Sequence, residues 1–202
     1  LVGLLALLAL ANGLFHAAAL GALPLSLFLP VQAAIFIIVL IESVIGARVI
    51  PMFTRNGAPG STPVASPQRA LVAVACMAAA AIAWLADAPA WLTAPLALVA
   101  SGVSLANLLA WQPQRTLRVP LLWILHLSYA WIGVGFALLA AASMGLLTAS
   151  AAFHALTVGS MAGLIIGMMT RTTLGHTGRP LKGGRAEAAM YWLIQLGALA
   201  RL

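Results

Sequence analysis

The chain has 202 residues, of which 63% are hydrophobic and only 6% charged, with a net charge of +7 and a mean hydropathy of +1.09. A soluble domain carries charge on about a quarter of its residues, so no water-facing surface can be assembled from this composition, and the solvent it implies is lipid. The ten basic residues form no stripe with interleaved aromatics, which argues against nucleic acid, and the single cysteine, Cys76, excludes a disulfide framework and a thiolate metal cluster.

In lipid the backbone must satisfy its own hydrogen bonds, which leaves helices or closed barrels. Apolar runs of about 16 to 22 residues without strand-like alternation select helices. The fold class expected is therefore all-α: one polytopic transmembrane bundle of about seven helices.

The first span covers roughly residues 1–20 and carries Asn12 and His16. The second, 31–50, follows Pro24 and Pro30 and holds Glu42 and Arg48; Pro51, Gly57, Pro59, Gly60, Pro63 and Pro67 punctuate what comes after. Spans at 70–86 and 92–111 are divided by Asp87 and Pro89. The fifth, 119–141, follows Pro113 and contains His126, and the sixth, 149–170, follows Gly145 and contains His154. A connection rich in glycine leads to the seventh, 187–202. Both ends of the chain lie inside apolar runs, so it is expected to be part of a longer protein.

Charge tests this division. Arg48, Arg55 and Arg69 are assigned to the second connection, Arg115 and Arg118 to the fourth, and Arg171, Arg179, Lys182 and Arg185 to the sixth. Nine of the ten basic residues thus fall on alternate connections, as the positive-inside rule requires. The segments 51–69, 112–118 and 171–186 are expected on the cytoplasmic side of a multi-pass protein of the bacterial inner membrane. Trp84 with Trp91, and Trp111 with Trp123, flank connections as interfacial anchors do. A short echo, Met52-Phe53-Thr54-Arg55 against Met168-Met169-Thr170-Arg171, hints at a parallel repeat of helices two and six.

Ionisable groups at membrane depth are costly and are by default functional candidates. Imidazole nitrogen binds iron, copper or zinc. From the span limits, His16 and His154 lie ~6–8 Å below the outer edge of the hydrocarbon, and His126 ~10 Å above the inner edge. The first two are candidates to share a haem or metal near the outer leaflet. His126 is expected at a separate site, or paired with a ligand from the rest of a longer chain. The bland alternative for each is a packing histidine bonded to a neighbouring carbonyl. Glu42, in mid-span, is expected to face the bundle, either protonated, hydrogen-bonded, or paired with a histidine or Arg48; its candidate roles are proton relay and ligand support. In the sixth connection Arg171 and Arg179 could grip an anion such as a haem propionate or lipid phosphate, with His176 a weaker metal candidate.

The stretch from Phe153-His154-Ala155-Leu156-Thr157 through Met168-Met169-Thr170-Arg171 into Leu174-Gly175-His176-Thr177-Gly178-Arg179-Pro180 closely resembles the NnrS family, haem- and copper-containing bacterial membrane proteins linked to nitric oxide. Gly46 to Asn56, Asn12 with His16, and His126 with Tyr129 and Trp131 resemble the same family. Its members are about twice this length and carry an early histidine-rich element that is absent here, so the chain is similar to their later portion. The resemblance implies a response to nitric oxide and nitrosative stress, with haem, of b-type, and copper as cofactors, and nitric oxide as ligand. It implies no defined reaction and sets no oligomeric state. Two rival readings remain: a secondary transporter coupling protons through Glu42, disfavoured by spans that look uninterrupted, and a non-catalytic assembly factor.

Overall fold

The computed structural model describes residues 1–202 and is all-helical. Seven helices follow one another: α1 (Val2–Ala19), α2 (Phe28–Gly57), α3 (Pro67–Leu85), α4 (Ala90–Ala110), α5 (Pro120–Ser143), α6 (Ala149–His176) and α7 (Arg185–Leu199). The first six are long and apolar enough to cross a membrane. The seventh has 15 residues, a length of ~22 Å against the ~30 Å of a hydrocarbon core.

The ends of the helices alternate between two faces of the bundle. At one face the connection after α2 meets the end of α4, where Val64 N–H donates to Ala110 O at 2.9 Å and Thr62 N–H to Gln112 Oε1 at 2.9 Å. At the other, Trp84 near the end of α3 donates its indole N–H to Gln32 at the start of α2 and stands edge-on to Phe153 at the start of α6. The basic connections therefore share one end of the bundle, here called the basic end.

Helix α5 is the axis. Fifteen of its 24 residues are buried, and it packs on α2, α4, α6 and α7. Helix α1 buries only Ala11 of its 18 residues and lies chiefly on α2. Membrane helices gain little from a hydrophobic effect between them, so small residues that let backbones approach decide such packing. Gly159 and Gly163 of α6 do this against α5, where an added Cβ would overlap Trp131 and the Ser128 hydroxyl, respectively.

Several boundaries differ from those expected. Helix α2 starts before Pro30 and runs through Pro51 to Gly57, so Arg48 and Arg55 lie on its last turns rather than in a connection. Pro30 sits in the first turn, where a missing N–H costs nothing. Pro51 removes one ladder bond, a loss that packed membrane helices tolerate. Helix α6 likewise carries Thr170 to His176, and the chain turns away only at Gly178, whose φ of +67° suits glycine. There Arg179 N–H donates to Leu174 O at 2.9 Å, closing the helix in the manner of a Schellman cap. Nor is the sixth span uninterrupted: Ala155–Ala162 is wound as a π-helix. Two tryptophans expected as interfacial anchors belong to the core, Trp111 at 2% exposure against the Tyr129 ring and Trp123 at 9% against Tyr191. Trp91, at 76% exposure, has the setting an anchor needs.

Candidate functional site

Polar side chains are scarce in this interior, and those present tie helices together. Four such ties form a seam around α5. Thr54 of α2 meets His126 of α5 at 3.2 Å, and Ser43 of α2 meets Tyr129 of α5 at 3.2 Å. Ser160, in the π-helical part of α6, donates to Glu42 Oε2 at 2.9 Å. Gln195 of α7 accepts from the Trp131 indole at 2.6 Å and donates to Ser128 Oγ at 3.3 Å.

His126 is 3% exposed. Its Nδ1 lies 3.1 Å from Leu122 O, one turn back on the same helix. A carbonyl can only accept, so Nδ1 carries the proton and Nε2 is the basic nitrogen of the neutral ring. Thr54 Oγ1 lies 3.2 Å from that nitrogen and 2.9 Å from Ile50 O, so its one proton serves either acceptor. The imidazole also lines a crevice of about 490 Å³ between the ends of α4 and α5, with Gln114, Trp123 and Trp192 around it.

His154 repeats this arrangement at the opposite end of the bundle. Its Nδ1 is 2.8 Å from Ser150 O and 3.1 Å from Ser150 Oγ, which again fixes the proton on Nδ1. Its Nε2 makes no hydrogen bond, and the side chain is half-buried. His16 is exposed, with the Phe15 ring edge-on at 5.6 Å, and His176 is exposed as the last residue of α6, at the basic end. One turn below His16, Asn12 lines a crevice of about 690 Å³ whose far wall includes Thr157, three residues after His154. This outer crevice is formed by α1, α2 and α6, and neither histidine itself lines it. No three His, Cys, Asp or Glu side chains converge anywhere in the structure.

Glu42 is half-buried and bonded to Ser160, while Arg48 is exposed and Arg55 donates to Pro63 O at 3.2 Å. The Arg171 guanidinium lies over the Phe53 ring at 3.8 Å, so the two sequence echoes, Met52–Arg55 and Met168–Arg171, touch at the basic end. Arg179 is exposed beyond the helix.

Sequence reasoning missed the partners rather than the principals. Ser160, Ser128 and Gln195 each sit in an apolar span as hydroxyl or amide residues, and such residues seek an acceptor or donor on a facing helix, whereas Thr54, expected in the connection after the second span, lies on the last turns of α2. Their presence was a signal; which helix each would face was not.

No curated protein and no solved structure matches the chain. The family model described as NnrS protein matches residues 1–202. Matched over its full span and built from helices of membrane-crossing length, the chain is a multi-pass membrane protein that belongs to the NnrS family.

Proposed function

We propose that this protein is a haem-binding membrane protein of the bacterial nitric oxide response, with copper as the alternative metal, and that His126 and His154 supply metal ligands. Family membership supports the link to nitric oxide. The observation that carries the ligand assignment is the state of the two rings. In both, Nδ1–H is held on the carbonyl one turn back, leaving Nε2 basic, which is the arrangement of metal-ligating histidines whose other nitrogen is tied to a carbonyl. His154 has that nitrogen without a partner, and His16, near the end of α1 at the same end of the bundle, is the candidate second donor. His126 holds its Nε2 against the Thr54 hydroxyl, which must yield if a metal is to bind there.

An iron or copper centre so placed would supply a coordination position for nitric oxide. The protein's own contribution is access and selectivity. Nitric oxide is small, uncharged and membrane-soluble, and the crevices beside His126 and between α1, α2 and α6 are mostly apolar, so it needs no charged pathway. Arg171 and Arg179, at the basic end, are suited to an anionic propionate or lipid phosphate.

The experiment is an absorbance spectrum with metal analysis of the purified full-length protein. The expected result is a Soret band that is altered in His154→Ala and in His126→Ala. No band and no bound copper, or a band unchanged in both variants, overturns the assignment.

A further inference from the structure

Helices α2 and α6 do not pack along their whole length. The outer crevice lies on this seam as far as Ile38 and Met161, and a second crevice of about 180 Å³ begins at Ile41 and Glu42 and descends to Met168. Between them the two helices are joined by one polar contact, Ser160 to Glu42. Ser160 is fully buried and belongs to the π-helical segment, a winding that is rare and frequent at functional sites. The second oxygen of Glu42 makes no hydrogen bond, and the wall below it is aliphatic, with Ile45, Val49, Leu164 and Ile165. No cation compensates the carboxyl. On its own helix the titratable groups are Arg48 and Arg55, and on the helices around it they are His16 on α1, Arg69 and Cys76 on α3, His126 and Tyr129 on α5, and His154, Arg171 and His176 on α6; none is bonded to it. A carboxylate in such surroundings is expensive, whereas the protonated acid keeps the Ser160 bond and offers a donor to the crevice.

We propose that Glu42 and Ser160 form a proton-binding site at the waist of the α2–α6 seam, reached through the aliphatic crevice that opens below Glu42 towards the basic end. The ligand is the proton itself, and the site stands whether or not the protein binds haem.

The test uses dicyclohexylcarbodiimide, an apolar reagent that partitions into lipid and takes up the O–H of a protonated carboxyl, giving after rearrangement a stable N-acylurea. Membrane vesicles containing the full-length protein are treated across a pH series, and adducts are located by mass spectrometry. The expected result is an adduct on Glu42 that is absent in Glu42→Gln, not formed by a water-soluble carbodiimide, and falling about tenfold per pH unit once the acid is largely ionised. Ile45→Trp, which fills the crevice from a lining position, should reduce the adduct several-fold, whereas Leu98→Trp, on the exposed face of α4, should not. The wild-type protein alone decides the main point, so a variant that fails to fold does not blunt the test. No adduct on Glu42, equal labelling by the water-soluble reagent, or labelling independent of pH overturns the proposal. An adduct undiminished in a folded Ile45→Trp protein overturns the assigned route.

Discussion

His126 Nε2 lies 3.2 Å from the hydroxyl of Thr54, joining α5 to α2 across 72 residues of sequence. Both residues are buried, Thr54 at 0% exposure. Thr54→Val keeps the shape of the side chain and removes the hydroxyl, leaving Nε2 without a partner. The expected cost is about 1–3 kcal/mol, read as a lower thermal midpoint in detergent, with Thr54→Ser close to wild type. An unchanged midpoint in the valine variant would show that this bond contributes nothing to stability. The same variant frees Nε2, so if His126 is a metal ligand its spectrum should be retained or strengthened.

The helix order, and the sharing of one end by the basic connections, were legible because two independent patterns agree: apolar run length and alternating charge. The helix limits were less legible. Proline and glycine read as punctuation in the sequence, yet Pro51 and Gly175 are helical: Pro51 is buried among packed helices that tolerate a lost ladder bond, and Gly175 lies in the exposed last turn of α6, before the cap at Gly178. The π-helical stretch left no mark in the periodicity, since Ala155–Ala162 spans only 8 residues, with Thr157 and Ser160 its only polar side chains, too short a run to separate the two windings. Similarly, His126, His154 and Glu42 could be singled out from residue type and depth. Their partners could not, because Thr54 and Ser160 become special only when the rotation of α2 against α5 and α6 is known.

Close approach at the glycines of α6 gives a second test. Gly159→Ala would drive a methyl group into the Trp131 ring, and Gly163→Ala would meet Ser128 Oγ with Gln195 Nε2 3.0 Å away. Each should destabilise by about 1–3 kcal/mol, as overpacking does. Gly102 of α4 has nothing within 4 Å of an added Cβ, so Gly102→Ala should be neutral or slightly stabilising. Thermal midpoints of the three variants decide it; equal behaviour at all three positions would mean that α6 is not packed on α5 as described.

One amide ties α7 to α5 beside the packing of Tyr191 and Trp192 on Trp123. Gln195, at 2% exposure, bridges the Trp131 indole and Ser128 Oγ, both on α5. Trp131→Phe removes the indole donor and leaves Gln195 Oε1 unpaired, at about 1–2 kcal/mol. Because the change loosens α7 specifically, proteolysis at the preceding connection, residues 177–184, should accelerate more than the drop in midpoint alone would suggest. A midpoint and a cleavage rate both matching wild type would refute the bridge.

At the basic end, Arg171 sits over Phe53, coupling the last turns of α6 to those of α2. Phe53→Leu keeps an apolar side chain but removes the ring face, and should cost about 0.5–2 kcal/mol, the range of cation–π contacts. Phe53→Trp should match or exceed wild type, since indole is the strongest of the three faces, and Arg171→Lys should lose part of the contact because the planar guanidinium stacks and the ammonium does not. A leucine variant as stable as wild type would reduce the pair to a chance approach of two sequence echoes.

Sidedness gives the broadest test, because the positive-inside rule assigns the basic end to the cytoplasm. With Cys76 replaced by alanine, single cysteines at Asn56 or Thr177 stand at the basic end, and at Asp87 or Thr148 at the opposite end; all four positions are exposed. In intact cells a membrane-impermeant maleimide should label the Asp87→Cys and Thr148→Cys proteins, and should reach Asn56→Cys and Thr177→Cys only after the membrane is opened. The reverse pattern would invert the bundle and move His126 to the outer half. Mixed labelling at one end would instead mean that a helix between the two positions does not cross. The pair Asp87 and Thr148 is the more informative, since only α4 and α5 separate them and a disagreement between the two would trace to one of those helices.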